Sequence, residues 1–190
     1  MLTWKSFTYG IVLMAVVFLT ASCASAPHSK VRKNGRNAAD LGRARSSMAS
    51  GEYKEAIAIY SAACDRNPGN EDLLDTYTEA LETVRVTADR AYENQDFAKA
   101  GELYSTLSHS GFGQKPLQEE LSFDADYLGK RIRACSKTLF ELGIVKYRAG
   151  DLQNAIAIWK QVLVFDPADQ EARTAIETAK IQLQNLKQIK

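Results

Sequence analysis

The residues able to do chemistry are few and lie far apart. There are two histidines, His28 and His109, and neither has a cysteine or carboxylate partner at the spacing of a metal site or a hydrolytic triad. The carboxylates are scattered along amphipathic stretches, which is the pattern of solvated helix faces. Gly111-Phe112-Gly113 lacks the third glycine and the preceding strand of a phosphate-binding loop. No catalytic group, metal or cofactor is therefore expected. Of the three cysteines, Cys23, Cys64 and Cys135, the first stands apart because of what precedes it. Lys5 gives a positive start, Ile11 to Leu19 is an unbroken run of nine apolar residues, and the small Thr20-Ala21-Ser22 follow. That run has the size of a signal-peptide core and is far short of the ~20 residues that span a bilayer.

This amino terminus resembles a bacterial lipoprotein signal, in which the cysteine becomes the lipidated first residue of the mature chain. Leu19 lies one place before the family's usual leucine, and Thr20 takes its position. An ordinary secretory signal cleaved near Ala24 or Ala26 is the alternative. The resemblance implies a signal peptide over residues 1–22, a palmitate-type anchor on Cys23 and a chain that faces the periplasm. Ala24 after the cysteine is similar to the pattern that enterobacteria sort to the outer membrane. Residues 23–37 then read as the lipidated cysteine and a flexible tether, with Pro27, Gly35 and four basic residues (Lys30, Arg32, Lys33, Arg36). Those cations suit either anionic headgroups or plain solvation.

The rest is ordinary in composition: 25% charged, 45% apolar and a formal net charge of +1. Removing residues 1–22 removes only Lys5 and brings the balance to zero, so nothing points to nucleic acid. Cys64 and Cys135 would lie on elements that do not touch in a regular stack, and two separate buried thiols are expected.

What remains to be positioned is a set of helices. In Gly150–Pro167, Ala155, Ile158, Trp159, Val162 and Leu163 recur at helical steps between a glycine and a proline. Upstream, Leu139, Leu142, Gly143 and Tyr147 form a second apolar face, so the two segments predict a helical hairpin turning at Gly150. Ala56 and Tyr60, followed by Pro68, repeat the second-helix pattern, and Ala100 and Tyr104 give a third copy without the proline.

The pattern resembles the tetratricopeptide repeat, with Leu142, Gly143, Gly150, Ala155, Trp159 and Pro167 in the family's marked positions. The resemblance implies an all-α solenoid of helix–turn–helix repeats, at about 37–70, 81–114 and 136–169, within a domain spanning 38–190. A capping helix over about 168–188 would close the stack, with Ala172, Ile176, Ala179, Leu183 and Leu186 on its apolar face. The implied packing residues are Ala56, Tyr60, Pro68, Ala100, Tyr104, Gly143, Gly150, Ala155, Trp159 and Pro167. Ala56 and Ala100 are 44 residues apart and Ala100 and Ala155 are 55 apart, against a family period of about 34. Longer helices follow: one of about 23 residues from Glu71, and one capped by Ser122 or Asp124 and ending near Tyr147.

Such repeats usually bind other proteins in a groove lined by their first helices. In family register those positions are Arg45 and Met48, then Arg85, Asp89 and Tyr92, then Phe140, Ile144, Tyr147 and Arg148. The expected function is a lipid-anchored scaffold in envelope assembly or secretion, whose partners are other envelope proteins. Pilotins and a barrel-assembly accessory are longer lipoproteins of this kind and are the nearest alternatives. The rival of another class is a cell-wall enzyme or small-ligand carrier, which would need a catalytic trio or an apolar pocket closed to water.

Overall fold

A computed structural model describes residues 28–111 and 117–188 of the chain. Cys23 and the expected signal peptide over residues 1–22 lie outside the described residues. Eight helices and no strand are found among the described residues: α1 (His28–Ser50), α2 (Tyr53–Arg66), α3 (Glu71–Glu93), α4 (Phe97–Ser108), the single turn α5 (Leu117–Glu120), α6 (Ala125–Arg148), α7 (Leu152–Phe165) and α8 (Gln170–Gln188).

Side-chain caps fix where five of the helices begin. Asn70, Asp96, Asp124, Asp151 and Asp169 each accept a bond from the backbone N–H three residues on, satisfying a donor that the first turn leaves free. Asp124 takes the cap of α6. Ser122 is used elsewhere.

The turns obey one geometric demand. Gly51 and Gly150 sit between paired helices at φ of 82° and 80°, a left-handed conformation that side chains resist. The equivalent position between α3 and α4 is Gln95, at φ 63°. Gln95→Gly is therefore expected to stabilise the fold by about 1 kcal/mol, read as a higher denaturation midpoint at unchanged slope. An unchanged midpoint would mean that the turn relaxes without strain.

Each long helix packs mainly on the next: α1 on α2, α2 on α3, α3 on α4, α4 on α6, α6 on α7 and α7 on α8. Sparser contacts join α2 to α4, α4 to α7 and α6 to α8. The core runs through the stack and includes Tyr60, Tyr77, Leu81, Tyr104, Leu128 and Trp159. Ala56, Ala100 and Ala155 are each fully buried. Pro68, Gly150 and Pro167 are exposed at turns. The tightest contact is at Gly143, where a Cβ would lie 2.6 Å from Cδ1 and Cε2 of Trp159. The indole also donates a 3.0 Å bond to the Phe140 carbonyl.

Two expectations are corrected. The segment 28–37 was expected to belong to a flexible tether, but α1 begins at His28. Lysine and arginine are good helix formers, Pro27 precedes the first turn, and one interior glycine does not stop a helix that packs downstream. Leu142 was placed on the packed face of α6 but is 46% exposed. The packed stripe uses Cys135, Leu139 and Gly143, and Leu142 falls beside it. Among the described residues the cysteines are free, Cys135 buried and Cys64 half-buried. Burial pushes both thiols up to about 11, so both stay protonated and unreactive at neutral pH. No described helix is long and apolar enough to cross a membrane.

Candidate functional site

Of the nine expected groove positions, three come together on an open surface. Phe140, Ile144 and Tyr147 lie along one side of α6 and form the wall of a groove of about 450 Å³, with Trp159 of α7 also lining it. The ring centroids of Phe140 and Tyr147 lie 6.0 and 5.9 Å from that of Trp159. The opposite wall is α8, through Gln170, Glu171, Thr174, Ala175 and Thr178. The groove forms because α7 packs between α6 and α8 while those two touch only sparsely. Among the described residues its one charged lining group is Glu171. Such a surface can bury apolar side chains, each worth roughly 1.5–3 kcal/mol, and offers little to orient a polar substrate. Arg148, one residue past Tyr147, is exposed and does not line it.

Arg85, Asp89 and Tyr92 also come together, but they are occupied by their own protein. Asp89 accepts bonds at Oδ1 from the hydroxyls of Tyr104 (2.6 Å) and Tyr127 (2.5 Å), and at Oδ2 from Arg85 (2.6 Å). Arg131 of α6 stands 4.8 Å from the centroid of Tyr92 and 5.3 Å from that of Tyr127, a cation–π arrangement. The Tyr104 hydroxyl is held firmly protonated, first by burial and then by the Asp89 carboxylate. This network ties α3 and α4 to the first half of α6. It covers the surface that the repeat register left open.

A second clasp holds the segment between α5 and α6. Glu82 accepts bonds from the Ser122 backbone N–H (2.6 Å) and hydroxyl (2.8 Å), while Arg85 donates to it at 2.8 Å. Burial raises the Glu82 carboxyl, but the bonds from Arg85 and Ser122 outweigh it and leave the group below its ordinary value. A lowered carboxylate stabilises the fold fully above the ordinary glutamate pKa of about 4.3, and loses that effect as pH falls from there through its lower folded-state value. Glu82→Gln is expected to speed amide exchange at residues 121–124 at pH 7. The native chain should show the same rise only on acidification. Equal protection in both proteins at pH 7 would show that Leu117 and Phe123, both buried, hold the segment without the clasp.

The first-repeat candidates stand apart from both groups. Met48 is half-buried against the core, and Arg45 is exposed, with its guanidinium beside the Tyr60 hydroxyl. Sequence reasoning missed the α8 wall, because α8 was read as a cap with one useful face. It also missed Gly101, where a Cβ would meet the Phe165 ring at 2.6 Å. A glycine inside a helix is unfavourable by about 1 kcal/mol against alanine and marks such close approaches.

Among the described residues no group of three or more histidine, cysteine, aspartate or glutamate side chains could hold a metal ion. No known protein family and no curated protein matches the chain.

Proposed function

We propose that this chain is a lipid-anchored helical-repeat scaffold of the bacterial envelope, held by Cys23 and built as a short tetratricopeptide-like solenoid. Its α6–α8 groove takes an apolar helix or extended segment of another envelope protein. The carrying observation is that Phe140, Ile144 and Tyr147, three positions that repeat proteins use for binding, line an open apolar groove. The order of packing supports the solenoid reading, since each second helix lies against its own partner and the first helix of the next pair. The nine-residue apolar run and small residues before Cys23 support the anchor.

The test separates binding from folding. Tyr147 rests against Trp159, so truncating it would disturb the core. Thr174 and Thr178 are exposed on the groove wall and can be changed with little effect on stability. A photocrosslinking residue at Thr174 in intact cells should capture an envelope protein. Thr178→Glu should weaken that capture at least about tenfold without lowering the melting temperature. The same adducts from Glu93, exposed at the end of α3, or undiminished capture by Thr178→Glu, would remove the groove from the function.

A further inference from the structure

A second groove, sharing no residue with the first, runs across the second helices of the three pairs. It has a volume of about 820 Å³ and is bounded by α2, α4 and α7. Its apolar lining includes Ile57, Leu103, Val164 and Phe165. Val164 is 64% exposed, the most exposed large apolar residue among those described. Three carboxylates also line the groove, Glu52, Asp65 and Glu102, against the ammonium of Lys54 and the imidazole of His109. None of the three makes an ion pair or a side-chain hydrogen bond with a described residue.

We infer that this face is a docking surface for a cationic, apolar peptide segment of a partner protein, with lysine or arginine side chains spaced between aliphatic ones. Charge complementarity selects that occupant over an acidic segment, which would bring like charge against the three carboxylates. An apolar floor supplies the attraction that exposed ion pairs lack, since such pairs in water are individually weak. The carboxylates therefore set selectivity and salt dependence more than strength. The inference is independent of the α6–α8 groove and of the lipid anchor.

The full-length protein is titrated with two fluorescein-labelled hexapeptides, one alternating lysine with leucine and the other alternating glutamate with leucine. The lysine peptide should bind at least about tenfold more tightly, and its affinity should fall as salt rises from about 0.05 to 0.5 M. Asp65→Lys with Glu102→Lys, both exposed positions, should reverse the preference between the peptides. Val164→Asp should weaken binding of both peptides, and Thr178→Glu in the other groove should change neither. Equal affinity for the two peptides, a lysine peptide that binds the double variant as well as the native protein, or no binding below about 1 mM would each overturn the inference.

Discussion

Gly143→Ala is expected to destabilise the protein by about 2 kcal/mol, a net figure from two opposing effects. Alanine inside a helix gains about 1 kcal/mol over glycine, but here its methyl would occupy space already filled by the Trp159 indole. Trp159 is 1% exposed, and it is fixed on one edge by its bond to the Phe140 carbonyl. It cannot swing aside without breaking that bond, so either α6 or α7 must move. Overpacking of this kind costs about 1–3 kcal/mol, and more when the obstacle is a large fixed ring. Gly42 provides the matched control, being exposed in α1 with nothing within 4 Å of the place an added Cβ would take. Gly42→Ala should therefore raise stability by about 0.5–1 kcal/mol. The pair is read by denaturant unfolding, and shifts of the same sign would show that the indole does not define the α6–α7 spacing.

Cys23→Ala should have the largest effect on where the protein resides. The proposed anchor depends on one thiol, and no described helix can substitute for it by crossing the bilayer. The variant is expected either to accumulate unprocessed or to appear in the soluble fraction after carbonate extraction, whereas the native protein stays with the membrane. A processed Cys23→Ala protein that resists carbonate would show that something other than an acylated cysteine holds it.

The pairing of a small residue with an aromatic four positions on made the second helices readable. Ala56 with Tyr60, Ala100 with Tyr104, and Ala155 with Trp159 all proved buried. The 23-residue length of α3 was likewise visible, because no breaker interrupts its apolar stripe before Asn94. Periodicity shows which face of a helix is apolar but not what will cover it, and the site readings failed at that point. Arg85, Asp89 and Tyr92 lie where a groove was expected, yet the added length of α6 brings Tyr127 and Arg131 onto them. Those contacts join residues 38 or 39 positions apart in sequence, beyond the reach of any local pattern. The α8 wall escaped for a related reason. Two threonines and an alanine carry no signal until a neighbouring helix turns them into one side of a cleft.

The early start of α1 bears on how the proposed lipid anchor would carry the fold. Arg66, the last residue of α2, is bonded to Asp40, so the twelve residues 28–39 run on beyond the end of that hairpin partner. At 1.5 Å per residue they form a rod of about 18 Å. Four residues, Ala24 to Pro27, then separate Cys23 from the rod, which puts the two at most about 18 Å apart. With the lipid on Cys23 as proposed, the rod would hold the stack of α2 to α8 away from the point of attachment. Both grooves would then stay within a bounded distance of the bilayer, set by the rod and the residues before it. Partners rooted in the same membrane would meet them at high effective concentration when their own segments reach that distance, and rarely otherwise. Breaking the rod, for example with Ala38→Pro, should widen the range of heights sampled while leaving the stack of α2 to α8 folded.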